Sequence, residues 1–458
     1  MKKKRKLLLI NPLSTKRIGL IRDQHSIYPP LALGIVAALT PDHWEIELLD
    51  ENFERFSYRE ADLVGITALT SQVTRAYELA DIYRQKGIPV VMGGIHVSVM
   101  PEEAAQFADA IVIGEAESIW TQVIADFENE ALKKQYSGKL LPLLESPQPR
   151  IDLYHPGYAF GSVQTTRGCP MSCDFCSVHT FNGKKYRPRP IKDVVDEMEK
   201  IPQQNVYIVD DNFIGYSKKS AKRVEEICTE IIRRGIKKDW LCAASMNVAE
   251  HERALSLMAE AGCKMIFLGI ESELVDQLEL TNKTTNIKIG TDHFNEVYQK
   301  IHAHGIAVLG AFIYGLDTDT PETIANRTQY MLHADIDAMQ ASILTPLPGT
   351  PLFERMKKEG RFVHNDFPKD WSRYDFVEVV FQPLEMSPEE LTTEIKRSWE
   401  QLYDDKNLKR KFMNALKKSK NAEAALWAYN SNVHYHNLVF ENEHSKLNIK
   451  GQFTLTIK

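Results

Sequence analysis

Short apolar segments alternate with helical segments along residues 1–130 of this 458-residue chain. Helices are predicted over Leu31–Leu39, Thr74–Lys86 and Ser118–Phe127. Because strands that alternate with helices form parallel sheets, the pattern predicts a doubly wound, Rossmann-like α/β domain over residues 1–135. The predicted strands are Leu7–Ile10, Glu45–Leu49, Leu63–Thr67, Pro89–Met92 and Ala108–Ile113.

A second alternating series occupies residues 161–360, after a proline-rich and polar segment, 136–160, that is predicted to be a linker. Six βα units are typical of a partial parallel barrel, (βα)6, whose sites lie at the carboxyl ends of the strands. Residues 361–458 predict a mostly helical region, in which Ser387 is expected to cap a helix. The six predicted strands are Ser162–Thr166, Val206–Val209, Leu241–Met246, Met265–Gly269, Ala307–Tyr314 and Ala338–Leu344.

The composition restricts the classes of partner and compartment. The formal net charge of −6 argues against a nucleic-acid binder, because affinity for phosphates is built from Lys and Arg. No apolar run approaches the ~20 residues that span a bilayer, so no transmembrane segment is expected. Six cysteines in so long a chain do not form a disulfide framework, and we expect a cytoplasmic protein.

Three of these cysteines, Cys169, Cys173 and Cys176, lie within eight residues and have the spacing C-x3-C-x2-C. Iron–sulfur clusters are held by thiolates, normally four for a [4Fe–4S] cluster. A group of three leaves one iron open to chelate the amine and carboxylate of a ligand. The alternatives are a structural Cys3His zinc site completed by His179, which would want four closed ligands, and simple core cysteines.

The cysteine spacing, with the aromatic Phe175 before the last cysteine, resembles the signature of the radical S-adenosylmethionine (SAM) superfamily. The resemblance implies a [4Fe–4S] cluster at Cys169, Cys173 and Cys176 whose open iron binds SAM and whose electron splits it to a 5′-deoxyadenosyl radical. It also implies an electron donor such as flavodoxin or ferredoxin. The cofactor would carry the difficult chemistry, while the protein positions and shields it.

Polar groups and glycines at the ends of the later strands resemble the SAM contacts of this superfamily. Acidic residues after the second strand would hold the SAM amino group, polar residues after the third its carboxylate, and a carboxylate after the fourth its ribose. A glycine in the fifth strand would allow close approach to the ligand, and the loop after the sixth would lie beside the adenine. In that order the residues are Asp210, Asp211, Ser245, Asn247, Glu271, Gly310 and Pro346.

The N-terminal region resembles the cobalamin-binding subfamily, which contains anaerobic porphyrin cyclases and class B radical SAM methyltransferases. The resemblance rests on Tyr28-Pro29-Pro30, Gly65-Ile66-Thr67, residues 93–96 with Pro101-Glu102-Glu103, residues 113–117, and Asp370-Trp371-Ser372. In doubly wound sheets ligands bind beyond the carboxyl ends of the strands. The residues predicted to contact cobalamin or order its loops are Gly93, Gly94, His96 and Gly114.

One departure concerns the lower ligand of cobalt. Classical cobalamin domains carry D-x-H-x-x-G, and Asp42-His43-Trp44 lacks that spacing. Subfamily relatives often lack the motif as well, so cobalamin stays the expected third cofactor.

The resemblance implies a cobalamin-dependent C-methyltransferase that acts on an unactivated carbon of a small molecule or lipid. One SAM would methylate cobalamin and a second would supply the radical. A radical cyclase or rearrangement enzyme is the first alternative, and a non-catalytic cobalamin or metal sensor is an alternative of another class. A tRNA-modifying enzyme is disfavoured by the acidic balance and by the lack of an appended basic domain.

Overall fold

The computed structural model describes residues 4–14 and 28–440. The chain divides into two compact units. The first combines Met1–Asp211 with Thr345–Phe381, and the second combines Asn212–Leu344 with Gln382–Lys458. These units are not the predicted sequence domains, whose bounds at 135, 160 and 360 stay predictions.

The first unit begins with the predicted doubly wound sheet. Six strands lie in the order β2-β1-β3-β4-β5-β6, and the pairings are all parallel. The last strand was not predicted, because its polar ends resemble a linker, and only Tyr136 at its centre is buried. The strands are β1 (Arg5–Asn11), β2 (Trp44–Asp50), β3 (Leu63–Thr67), β4 (Val90–Gly93), β5 (Ala110–Ile113) and β6 (Gln135–Ser137).

Within residues 4–14 and 28–137, five α-helices connect these strands. They bury their apolar faces on the sheet, where Leu7 and Leu9 of β1 pack in one cluster with Trp44 and Trp120. The indole Nε1 of Trp120 donates to Thr40 Oγ1 at 2.9 Å, so its polar atom is satisfied in the core. The helices are α1 (Leu31–Leu39), α2 (Val73–Arg84), α3 (Ile95–Val99), α4 (Pro101–Ala104) and α5 (Trp120–Glu128).

The first unit continues into the second predicted series. Strand β7 is shorter than predicted and ends at Val163, and it pairs in parallel with β10. Between them a two-stranded antiparallel hairpin carries the three clustered cysteines. The elements are β7 (Phe160–Val163), β8 (Thr166–Arg167), α6 (Val178–Phe181), β9 (Arg187–Pro188), α7 (Ile191–Lys200) and β10 (Asn205–Ile208).

The second unit contains the remaining four strands of the series. Each pairs in parallel with the next, as βα units require. The strands are β11 (Asp239–Ala244), β12 (Cys263–Glu271), β13 (Ala307–Tyr314) and β14 (Ala338–Ile343). The helices are α8 (Lys218–Arg233), α9 (Glu252–Glu260), α10 (Val275–Leu280), α11 (Thr284–Ile289), α12 (Phe294–Ala303) and α13 (Pro321–His333).

After β14 the chain forms α14 (Pro351–Lys358) in the first unit and then three helices in the second, which confirms the helical C-terminal region. They are α15 (Pro388–Leu402), α16 (Asp405–Ser419) and α17 (Ala422–Phe440). Ser387 caps α15, since its Oγ accepts from Glu390 N at 3.1 Å. Among the described helices, none is both long and apolar enough to cross a bilayer.

Side chains of α15 and α17 cover the outer edge of β14. Asn432 Nδ2 donates to Asp337 O at 2.8 Å, and Asn432 Oδ1 accepts from Met339 N at 2.9 Å. Tyr403 OH donates to Met339 O at 2.9 Å, and Trp399 Nε1 donates to Ala341 O at 3.0 Å. Side chains therefore satisfy the backbone groups that an exposed strand edge would offer to another chain.

We predict that Asn432→Leu lowers the free energy of unfolding by about 2–4 kcal/mol, because it leaves two buried backbone groups unpaired. The half-buried Asn430 on the same helix provides a matched control, and Asn430→Leu is expected to change the stability by less than about 1 kcal/mol. Urea denaturation followed by circular dichroism measures both variants. Equal stability of Asn432→Leu and the wild type would contradict this role for α17.

Candidate active site

The three cysteines lie on a loop that the hairpin of β8 and β9 holds at its base. Gly168 begins the loop with φ of +94°, and a Cβ there would lie 2.1 Å from Lys185 O, so only glycine fits. Cys169 N donates to Gly183 O at 3.2 Å, and Cys176 N donates to Cys173 O at 3.1 Å. Cys173 is buried, while Cys169 and Cys176 are half-buried. The backbone thus presents all three thiols from one short loop.

Asp210 fixes the strand end that leads into this loop. Its carboxylate accepts from Thr165 N at 2.6 Å, Thr165 Oγ1 at 2.5 Å, Thr166 N at 3.1 Å and Thr166 Oγ1 at 2.9 Å. Burial raises the pKa of Asp210, and these hydrogen bonds oppose that effect. A carboxylate has about four acceptor positions, so this one is fully used by the protein. The predicted contact of Asp210 with SAM stays a prediction, and the geometry gives this residue a positioning role instead.

Asp211 binds the loop itself. It accepts from Gly168 N at 2.8 Å and from Asn182 Nδ2 at 3.1 Å. Burial raises the pKa of Asp211, while its hydrogen bonds act in the other direction. Because Asp211 is half-buried and accepts from Gly168 and Asn182, it has acceptor capacity left for a ligand, as the SAM prediction requires.

A buried ion-pair network joins the end of β5 to both strands of the cysteine hairpin. Glu115 receives two hydrogen bonds from Arg187, at 2.5 and 2.8 Å, and lies 3.3 Å from Arg167 Nη1. Glu117 pairs with Arg167 at 2.6 Å. Burial would lower the pKa of Arg167, but Glu117 and Glu115 outweigh it and raise that pKa. The acidic motif at residues 113–117 therefore holds the hairpin that carries the cysteines.

The loop after β14 contacts the cysteine loop within the first unit. Thr180 Oγ1 donates to Gly349 O at 3.1 Å, and Leu352 N donates to Asp174 O at 3.1 Å. A Cβ on Gly349 would lie 2.8 Å from Val99 Cγ1, so the loop also lies close to α3 of the doubly wound sheet. Pro346, the predicted neighbour of adenine, is buried in this loop.

The glycines predicted to approach cobalamin have different structural explanations. A Cβ on Gly94 would lie 2.8–3.0 Å from Thr67 and Ala68, and one on Gly114 would lie 3.0 Å from Gly138 O. Both have positive φ, so the turns themselves require glycine. A Cβ on Gly93 would meet its nearest atom, Val112 O, only at 3.7 Å. Packing therefore does not explain Gly93, and its contact with cobalamin stays a prediction.

His96 is held by side chains on both of its ring nitrogens. It is fully buried, with Nδ1 3.2 Å from Thr70 Oγ1 and Nε2 3.2 Å from Glu103 Oε1. Glu103 also accepts from Trp371 Nε1 at 3.0 Å and from Tyr77 OH at 2.9 Å. Burial acts to raise the pKa of Glu103, but the hydrogen bonds from His96, Trp371 and Tyr77 prevail and lower it. With both ring nitrogens engaged, His96 does not fit a cobalt ligand.

In the second unit, the predicted carboxylate contacts follow β11. Ser245 is buried and lies 3.1 Å from Asn212 Nδ2 and 2.7 Å from Tyr216 OH. Asn247 Nδ2 donates to Gly215 O at 3.0 Å, whereas Asn247 Oδ1 is buried with no hydrogen-bond partner among the described residues. An unpaired buried acceptor is costly, and a donor on a bound ligand, such as an amine but not a carboxylate, would satisfy it.

Glu271 ends β12 in a strained conformation. Its φ is +68°, which is uncommon for a residue with a Cβ, and the strand register shifts beside it. Lys283 Nζ binds its carboxylate at 2.7 Å, and Asn286 Nδ2 holds the preceding carbonyls of Gly269 and Ile270. Strain over-determined by such contacts is typical of functional sites. Gly310 differs, because a Cβ there would lie 2.8 Å from Ile270 Cδ1, so packing explains this glycine.

The donor set fits the expected cofactors in three respects. The cysteine loop offers three thiols from a fixed backbone, which suits a cluster with one open iron. Gly93 ends β4, and the exposed Leu69 follows the adjacent strand β3. A glycine beside an exposed apolar side chain suits the approach of a large ring system. Asn247 supplies the unpaired acceptor. Within the described residues, no three His, Cys, Asp or Glu side chains are grouped to hold a single metal ion.

Comparisons with known proteins agree with this architecture. The "B12 binding domain" model matches residues 19–124, the "Radical SAM superfamily" model matches 163–330, and a domain of unknown function, DUF4070, matches 350–441. Bacteriochlorophyllide d C-8(2)-methyltransferase of Chlorobaculum tepidum is 30% identical over 84% of this chain and 88% of its own. The chain belongs to the cobalamin-binding radical SAM family.

Two further proteins are similar to the chain, one in sequence and one in fold. Hopanoid C-2 methylase of Rhodopseudomonas palustris is 30% identical over 79% of this chain and 72% of its own. The radical SAM methyltransferase TsrM of Kitasatospora setae, solved with cobalamin and a [4Fe–4S] cluster, superposes with a TM-score of 0.63 at 20% identity, over 88% of this chain and 82% of that chain. Membership of the radical SAM family confirms the predicted enzyme class, the α/β fold and the three cofactors.

Several residues of the site were not singled out from the sequence. Asn182 binds the carboxylate of Asp211, Lys283 binds that of Glu271, and Asn286 binds backbone carbonyls. No local sequence pattern predicts these contacts. The arginines have one signal in the sequence, because Arg167 precedes and Arg187 follows the cysteine loop, while Glu115 and Glu117 follow a predicted strand.

We predict that Glu115→Gln lowers the free energy of unfolding by about 3–5 kcal/mol, because it leaves Arg187 buried without its carboxylate. Adding Arg187→Met is expected to recover part of this loss, since the unpaired charge is removed. A double-mutant cycle in urea measures the coupling, and Glu60→Gln on an exposed residue is the control. Strict additivity of the two substitutions would contradict the network.

Proposed function

We propose that this chain transfers a methyl group from SAM to an unactivated carbon of a small-molecule or lipid substrate, with cobalamin as the methyl carrier. The observation that carries the proposal is the similarity to a methyltransferase over 84% of the chain. Relatives named for bacteriochlorophyllide and hopanoid methylation both suggest a large, mostly apolar, polycyclic acceptor.

The arrangement of the first unit supports this proposal. The segment around Gly349 contacts both the cysteine loop and α3 of the doubly wound sheet. One short segment therefore joins the region proposed to hold the cluster to the region proposed to bind cobalamin. When bound, the cluster, SAM and cobalamin supply the electron, the radical and the methyl group.

The protein residues then have distinct proposed roles. Cys169, Cys173 and Cys176 bind the cluster, and Asp210, Glu115 and their partners keep the loop in place. Asp211 and Asn247 are proposed to bind the amino acid end of SAM, and Glu271 its ribose hydroxyls. Each of these three offers an acceptor oxygen, as amine and hydroxyl donors require.

We predict that anaerobically reconstituted enzyme forms both S-adenosylhomocysteine and 5′-deoxyadenosine. The assay contains reductant, hydroxocobalamin, SAM with a deuterated methyl group and a total lipid extract as acceptor, and mass spectrometry detects the labelled product. Cys169→Ala, Cys173→Ala and Cys176→Ala are expected to abolish 5′-deoxyadenosine formation, whereas the control Cys263→Ala, in β12, should retain it.

The same assay separates the alternatives. If 5′-deoxyadenosine forms without S-adenosylhomocysteine, the cyclase or rearrangement reaction replaces methyl transfer. If the cysteine variants cleave SAM like the wild type, the proposed cluster site is wrong.

A further inference from the structure

An exposed surface of lysines and leucines borders the cysteine loop in the first unit. We call it the lysine–leucine surface. The leucines are 41–65% exposed, and the lysines are exposed as well. Its members are Lys139, Leu140, Leu141, Leu144, Lys184 and Lys185.

Two chain segments form this surface, and the residues that join them, Leu141 and Arg187, are 46 positions apart in the sequence. Arg187 Nη1 donates to Leu141 O at 2.7 Å, which fixes the leucine segment against the hairpin. A Cβ on Gly183 would lie 2.7 Å from Leu140 Cδ1, so these residues are in close contact. The surface is therefore a built feature of the fold rather than two unrelated loops.

The surface is one contact away from the cysteines. Lys184 Nζ donates to Ser172 Oγ at 2.9 Å, and Ser172 lies between Cys169 and Cys173. Gly183, which touches Leu140, also accepts the hydrogen bond of Cys169 N. A partner seated here would therefore contact the same loop that carries the cysteines.

The charge of the surface is positive although the chain is acidic overall. The ammonium groups of Lys139, Lys184 and Lys185 have no salt-bridge partner within residues 4–14 and 28–440. Arg187, by contrast, is neutralised by Glu115. Glu145 is the exposed acidic residue of the leucine segment. In a chain whose net charge is −6, a local cluster of lysines without carboxylate partners favours an acidic partner and increases its rate of association.

The leucines give the same surface an apolar centre. Exposed apolar groups that are rimmed by charges are typical of protein–protein contacts, where the buried centre is apolar and the rim is polar. A surface of this small size suits a weak, transient encounter, as electron-transfer complexes usually form.

We propose that the lysine–leucine surface docks an acidic one-electron carrier protein of the flavodoxin or ferredoxin class. The inference rests on the proposed function, because SAM cleavage consumes an electron that must enter from outside the chain. One electron leaves the carrier, which is oxidised, and enters the cluster, which is reduced. No proton or group is transferred in this step.

The test compares a protein reductant with a small one. Lys139→Glu/Lys185→Glu reverses two charges of the surface and leaves Lys184 and its bond to Ser172 intact. Lys218→Glu/Lys219→Glu is the matched control, because it reverses an exposed lysine pair at the start of α8 in the second unit. Iron content is measured for each variant.

A stopped-flow instrument monitors the reduction of the cluster through its loss of absorbance. The reductant is either reduced flavodoxin or dithionite. At low salt the test variant is expected to be reduced by flavodoxin at least about tenfold more slowly than the wild type, and added salt should narrow the difference. Dithionite should reduce all three proteins equally, and the control variant should match the wild type with both reductants.

An unchanged flavodoxin rate in the test variant would overturn the proposal, as would an equal loss in the control variant. Flotation with phosphatidylglycerol vesicles tests whether the surface binds an anionic membrane instead of a protein. Vesicle binding that the test variant loses, with an unchanged flavodoxin rate, would assign the surface to a membrane instead. Cluster reduction is measured without SAM and does not depend on methyl transfer. The experiment therefore tests the docking surface even if the proposed methyltransferase activity is wrong.

Discussion

The ion pairs between the Glu115–Glu117 segment and Arg167 and Arg187 are the constraint on which the site depends. They connect the end of β5 with both strands of the hairpin, so one buried network sets the position of the cysteine loop relative to the doubly wound sheet. Removing one partner of a buried ion pair is strongly destabilising, because the other charge is left without compensation. The network therefore makes the cluster side and the cobalamin side of the first unit interdependent.

The polar residues at the strand ends divide into those that hold the backbone and those that retain capacity for a ligand. Asp210 uses all its acceptor positions on Thr165 and Thr166, and His96 uses both ring nitrogens on Thr70 and Glu103. Asn247 instead has a buried amide oxygen without a hydrogen-bond partner among the described residues, and Glu271 has a strained backbone. A bound ligand would explain both features. Asp211, Asn247 and Glu271 are therefore the groups that we propose to contact a ligand, whereas Asp210 holds the backbone.

Local sequence pattern predicted most of the fold, because strand and helix periodicity and the Ser387 cap are local properties. It missed β6, since a short edge strand with one buried residue lacks that periodicity. It could not separate glycines required by a turn, such as Gly94, from one that is not, Gly93, because the distinction depends on neighbouring chain segments. Long-range partners were likewise invisible: Trp371 binds Glu103 from 268 residues away.

The central claim is that Cys169, Cys173 and Cys176 hold a [4Fe–4S] cluster with one iron open to SAM. Electron paramagnetic resonance of the reduced, reconstituted protein tests it most directly, in the absence and presence of SAM. The account predicts a reduced-cluster signal that changes when SAM binds to the open iron. A signal that SAM leaves unchanged, in protein that contains its full complement of iron, would contradict it.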